Sequence, residues 1–142
     1  FKLGYVSKED EVNILNDQRH GHPLDDLSAC LAAKDIESIR LAAANIRIAD
    51  ELKRYIVDIV TATRSAPGIA MGASPRAGIM LMKCSQALAL IEGQQFVSPD
   101  QIQELAIPVI AHRLILEPGV EYDGTQATKI VTEILKSLPV PS

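Results

Sequence analysis

Hydrophobic residues recur along most of this chain at spacings of three and four, and prolines, glycines and capping residues divide that pattern into helices. Ser7 followed by Lys8-Glu9-Asp10-Glu11 has the form of a capping box, with Asp10 at the third helical position. It predicts a helix from Lys8 to Asn16 that buries Val12 and Leu15 and keeps its acids in the first turn, where the helix dipole favours them. Between Asp17 and Asp26 the periodicity fails; Gly21 and Pro23 account for a turn, and Pro23-Leu24 begins a short helical turn through Leu27. Ile36, Ile39, Leu41 and Ala43 make Lys34 to Ala44 an amphipathic helix, and Asn45 to Ala49 reads as an extended connector. Asp50 is then placed as the cap of a helix over Glu51 to Ser65. Leu52, Tyr55, Ile56, Ile59, Val60 and Ala62 form its broad inward stripe, and Ser65-Ala66-Pro67-Gly68 stops it.

The second half repeats one grammar. Ser74-Pro75 opens a helix expected to run to Glu92 and to end on Gly93, with Ala77, Met80, Leu81, Cys84, Leu88 and Ile91 on one face. Its length and apolar content predict the central helix of the fold. Phe96-Val97 is a short extended piece, and Ser98-Pro99-Asp100 opens the next helix, to Arg113, with a kink or break expected after Ile107 because Pro108 lacks an N–H. His112 and Arg113 put cations at its negative end. Leu114-Ile115-Leu116 is expected to be extended, and Gly124-Thr125 precedes a last helix, Gln126 to Ser137, with Ile130, Val131, Ile134 and Leu135 inward. Phe1 to Val6 alternates like the end of a strand. The sum is an all-α helical bundle with short extended connectors.

A chain of 142 residues with 47% hydrophobic content can bury a real core, and with two Phe, three Tyr and no Trp that core is aliphatic. A formal charge of −4 without any Lys/Arg run gives no electrostatic footprint for nucleic acid. The helix from Pro75 has only Arg76 and Lys83 as cations, too few for a DNA-recognition helix. Cys30 and Cys84 form no CxxC pair and read as buried thiols. His20 and His22 flank a loop glycine and lack a third ligand at metal spacing, so no metal site is expected. Nothing has membrane-spanning length or the pattern of a secretory leader, and the chain reads as soluble and cytoplasmic.

The candidate chemistry lies in Gly72-Ala73-Ser74-Pro75-Arg76-Ala77. Arg76 sits in the first turn of its helix, where the dipole disfavours a cation and unpaired N–H groups favour an anion. A phosphate brought there would meet both the guanidinium and those donors, with Ser74 beside them. A capped helix whose Arg lies in solvent is the plainer reading of the same residues. Arg64 and Arg113, each at a helix end, are secondary candidates whose ordinary duty is capping carbonyls. No phosphate loop, nucleophile elbow or HExxH helix is present, so the chain should not split a nucleotide alone.

Gly4-Tyr5-Val6-Ser7, Ala62-Thr63-Arg64, Gly72 to Ala77, Val97-Ser98-Pro99-Asp100 and His112 to Leu116 occur in this order. Together they resemble the C-terminal lid of MoxR-type AAA+ ATPases, relatives of the magnesium-chelatase ATPase subunit, over nearly the whole chain. The resemblance implies a nucleotide-binding core before the lid, with residues 1–6 as the end of a core strand and hinge and 7–142 as the lid. It also implies ATP and Mg²⁺ in the full-length protein and homo-oligomeric rings, commonly hexamers. Chaperone-like maturation of partners, often von Willebrand factor A domain proteins, follows from it too, and so does the sensor 2 role for Arg76. Val6 replaces a usual Pro, which bears on the hinge, and Gln94 replaces a frequent Arg. Without the resemblance, an amphipathic bundle with an acidic surface equally suits a helical adaptor that binds proteins and never meets nucleotide.

Overall fold

The computed structural model describes residues 4–19, 22–118 and 125–141, without the side chains of Pro23, Thr125 and Gln126. Phe1 to Leu3 of the expected strand, His20 and Gly124 lie outside the described residues. The chain divides into two compact units, Phe1–Glu37 and Ser38–Ser142, and the division falls within a helix. Among the described residues there are six α-helices and one two-stranded sheet: α1 (Lys8–Asp17), α2 (Ala33–Asn45), α3 (Asp50–Ala62), β1 (Ile69–Met71), α4 (Pro75–Ile91), α5 (Pro99–Ile110), β2 (Ile115–Leu116) and α6 (Thr125–Ser137). Short 3₁₀ turns occupy Pro23–Asp26 and Ala111–Arg113. The architecture is the expected all-α bundle.

In the first unit, Ser7 caps α1 as its sequence predicts, accepting from the Asp10 N–H at 3.1 Å and donating to the Asp10 carboxylate at 2.8 Å. The expectation that α1 buries Val12 and Leu15 is not met: no α1 residue is buried, and Leu15 is 70% exposed. α2 likewise buries none of its residues, Ile36, Ile39 and Leu41 included. The amphipathic pattern forms both helices, but among the described residues neither apolar face it marks contributes a buried side chain.

The second unit carries the core. α3, α4, α5 and α6 pack around Ile59, Leu81, Ile102, Ile110 and Val131, all fully buried. Removing each such side chain from water is worth about 1.5–3 kcal/mol. α3 follows its predicted stripe, burying Leu52, Tyr55, Ile56, Ile59 and Val60. Its start differs from expectation. Ala49 occupies the cap position, and Asp50, the first helical residue, turns its carboxylate to Lys53 Nζ at 2.8 Å instead of to the backbone. α3 ends at Ala62, and its last turn tightens through Thr63 to Ser65.

α4 is the longest helix and packs against both α3 and α5. Its inward face is rotated from the expected one. Ala77, Leu81, Ser85, Gln86 and Ala89 are buried, whereas Met80 is exposed, Cys84 and Leu88 are half-buried and Ile91 is exposed. Small side chains let neighbouring helices approach closely, and the two polar ones find partners: Ser85 Oγ donates to Leu81 O at 2.9 Å and Gln86 Nε2 to Ile46 O at 2.7 Å. That second bond holds the connector after α2, where Arg47 bridges Phe96 in parallel. Gly93, at φ 71°, turns the chain out of α4.

α5 opens with the reach-back half of a capping box, Ser98 N–H donating to Gln101 Oε1 at 2.8 Å. The break expected after Ile107 does not occur there. The helix continues through Pro108 to Ile110 and only then narrows to the 3₁₀ turn, because a proline two residues from the end removes one bond from a turn that is already finishing. β2 then pairs antiparallel with β1, Ile69 opposite Leu116 and Met71 opposite Ile115, with a bulge between. This pairing ties the segment leading into α4 to the segment leaving α5. Cys30 is exposed and Cys84 half-buried, so neither is the fully buried thiol expected.

Candidate functional site

The site is built where α3 ends and α4 begins. Thr63 is fully buried, and its hydroxyl works in both directions, donating to Val60 O at 2.6 Å and accepting from the Ala73 N–H at 2.9 Å. Arg64 Nε donates to Ala73 O at 3.1 Å. Two consecutive residues thus grip the two ends of one residue, Ala73, which is itself buried. Gly72 lies so close that a Cβ there would stand 2.6 Å from Arg64 Cα and 2.7 Å from Thr63 O. Only glycine permits that approach.

Pro75 follows as the first helical residue, with its N–H absent where no helical partner exists. Ser74 occupies the cap position in extended conformation, yet its hydroxyl makes no capping hydrogen bond, against expectation. The first-turn donors of α4 are therefore not satisfied by that side chain. Arg76 lies in this turn and is exposed. Among the described residues no carboxylate pairs with its guanidinium and no hydrogen bond holds it. Ala77, directly after it, is fully buried and donates its N–H to Ser74 O at 2.9 Å, fixing the backbone from which Arg76 extends.

The secondary candidates divide. Arg64 does not cap its own helix as expected; the Ala73 carbonyl takes its Nε, which brings Arg64 and Ser74 to the same loop. Arg113 does the ordinary duty, donating from Nε to Val109 O at 3.0 Å, while His112 Nδ1 lies 3.0 Å from Pro108 O at the same helix end. The sheet register puts Arg113, just before β2, at the end of the sheet from which Gly72 leaves β1. A groove of about 480 Å³ runs between α3 and α4, walled by Ile56, Val57, Val60, Ile79 and Met82, with Arg64 and Pro75 along its edge. Among the described residues no cluster of His, Cys, Asp or Glu could hold a metal ion, and no helix is long and apolar enough to cross a membrane. Thr63 and Gly72 were legible only as parts of motifs; their pairing was not.

An exposed guanidinium with no carboxylate partner among the described residues, at the head of a helix whose cap side chain is not engaged, has the chemistry to meet an anion. Comparison with known proteins places the chain by family and fold. The AAA lid domain family model matches residues 61–134. The chain is 39% identical over 141 residues to the uncharacterized protein YeaC of Bacillus subtilis, covering 99% of the chain and 44% of that protein. It is 28% identical over 150 residues to the chaperone MoxR1 of Mycobacterium tuberculosis, 99% of the chain and 39% of that protein. A crystal structure of a candidate ATPase from Cytophaga hutchinsonii superposes with a TM-score of 0.81 at 26% identity, covering 99% of the chain and 45% of that one. The chain thus spans less than half the length of these relatives. With the family model and the helical bundle in agreement, the chain belongs to the AAA lid domain family.

Proposed function

We propose that this lid closes on ATP held by a nucleotide-binding core elsewhere in the full-length protein, and that Arg76 is its sensor 2 contact to the γ-phosphate. The observation that carries the reading is the state of Arg76: exposed, free of any carboxylate among the described residues, and mounted on a helix start fixed by Ala73 on one side and Ala77 on the other. Arg76, with Ser74 beside it, would hold the terminal phosphate; Mg²⁺ and the phosphate loop of the core would supply the remaining charge neutralisation. A guanidinium-to-phosphate hydrogen bond is worth about 1.5–3 kcal/mol, and its planar fork matches phosphate oxygens as an ammonium does not.

The consequence is mechanical. While the phosphate is present, Arg76 holds the rigid α4 against the core; without it the lid is released to turn about the Gly4-to-Ser7 hinge. In a homo-oligomeric ring, commonly a hexamer, such motion in each subunit would drive chaperone-like maturation of client proteins, with von Willebrand factor A domain proteins as the expected class, in the cytoplasm. Arg76→Ala in the full-length protein should lower steady-state ATPase turnover severalfold or more while leaving the lid folded, and Arg76→Lys should rescue poorly. Wild-type turnover in both variants would remove Arg76 from the mechanism and leave the adaptor reading.

A further inference from the structure

Arg76 is useful to an ATPase only if its guanidinium leaves the lid in a fixed direction, and that direction is set by where α4 starts. The start does not rest on a capping side chain, since Ser74 makes none of the usual bonds. It rests on Ala73, whose N–H and carbonyl are both taken by residues from the end of α3. We infer that Thr63 is a positioning residue for Arg76: its hydroxyl, relaying between Val60 O and the Ala73 N–H, fixes the register of α4 against α3 and thereby the aim of the sensor.

Three observations carry this. The Thr63 hydroxyl has one proton to give and gives it to Val60 O at 2.6 Å, so its lone pairs are turned to the Ala73 N–H at 2.9 Å. Arg64 Nε holds the other end of Ala73 at 3.1 Å, so the residue cannot swing about one bond. Gly72 is packed on the Thr63 and Arg64 backbones below ordinary contact distance for a Cβ, so the loop cannot move towards α3. Between Ala73 and Arg76 there are only two residues, of which Pro75 has a fixed φ. A shift at Ala73 is therefore passed to Arg76 with little slack, and a displacement near 1 Å at a reacting group is enough for a large loss of rate.

The inference rests on the sensor reading of Arg76, and the experiment separates the two. Thr63→Val keeps the shape of the side chain and removes the acceptor. In the full-length protein, turnover is measured together with the affinities for ADP and for a non-hydrolysable ATP analogue that keeps its γ-phosphate. Thr63→Val should lower turnover severalfold and weaken the analogue severalfold while leaving ADP affinity within twofold. Thr63→Ser should restore both, and adding Thr63→Val to Arg76→Ala should change neither further. A lid that was merely less stable would lose both nucleotides alike and would still weaken the Arg76→Ala protein. If Thr63→Val does not fold, Thr63→Cys, near in volume and only a weak acceptor, carries the same comparison. An unchanged analogue-to-ADP ratio in the Thr63 variant alongside a collapsed ratio in Arg76→Ala would overturn the positioning role and leave the sensor standing. An unchanged ratio in Arg76→Ala would overturn both.

Discussion

Gly72 and Arg64 meet backbone to backbone: a methyl group added to Gly72 would lie 2.6 Å from Arg64 Cα and 2.7 Å from Arg64 N. Both contacts are with main-chain atoms, so no side chain can swing aside. Gly72→Ala must force the end of α3 and the entry to α4 apart, and overpacking of this kind costs on the order of 1–3 kcal/mol. Chemical denaturation should show a clear loss of stability for Gly72→Ala. A midpoint equal to wild type would mean that the two segments separate freely, which the grip on Ala73 should prevent.

The same substitution should have the opposite sign six residues on. Gly78 lies inside α4, and a Cβ there would stand 3.6 Å from Ile56 Cγ2 and from Val60 Cγ2, ordinary van der Waals contact. Alanine in a helix interior is more favourable than glycine by about 0.8–1 kcal/mol, with some added burial against α3. Gly78→Ala should therefore raise the unfolding midpoint, by the same denaturation measurement. A loss of stability there would show that α3 and α4 pack more tightly than these distances indicate.

These two glycines show where reading the sequence succeeds and where it stops. Helix starts at Ser7, Ser74-Pro75 and Ser98-Pro99 were legible because capping is local chemistry. So was Arg76 as the odd cation, because a first-turn arginine stands out without any tertiary knowledge. The buried face of α4 was not, because hydropathy favoured Met80 and Ile91, whereas close packing on α3 and α5 selects Ala77, Ala89 and the partnered Ser85 and Gln86. Nor was the grip on Ala73, since it joins positions ten apart through a buried hydroxyl, or the β1–β2 pairing, which is longer in range. In α1 and α2 the pattern marked the helices but not the exposure of Val12, Leu15 and Ile39.

Gln86 offers a test of that rotated face. Its Nε2 donates to Ile46 O at 2.7 Å, with Ala44 O at 3.4 Å, at the connector whose next residue, Arg47, accepts from Val97 N–H at 2.9 Å. Gln86→Leu matches the side chain in bulk but leaves the Ile46 carbonyl without its donor, a loss of about 1–3 kcal/mol where the group stays away from water. Amide exchange should quicken at Val97 more than at Ile102, which belongs to the α5 core. Uniform protection in wild type and variant would mean that the connector is held by the backbone bridge alone.

The Asp50–Lys53 pair should be visible by titration rather than by stability. The Lys53 ammonium, through its hydrogen bond first and its charge second, holds the Asp50 carboxyl below its ordinary value of 3.8. A carboxyl whose folded pKa is lowered favours the folded state above its unfolded value, and that contribution is lost as the pH falls through the folded one. The window therefore lies below about pH 3.8, the unfolded value, and the effect is small because the pair is exposed and screened. Following the Asp50 carboxyl by NMR should give a midpoint below 3.8 in wild type. Lys53→Met should move it back up, leaving only the weaker attraction of Arg54. An unmoved midpoint in Lys53→Met would mean that the helix N-terminus, not the lysine, stabilises the carboxylate, and would return Asp50 to the capping role its sequence position first indicated.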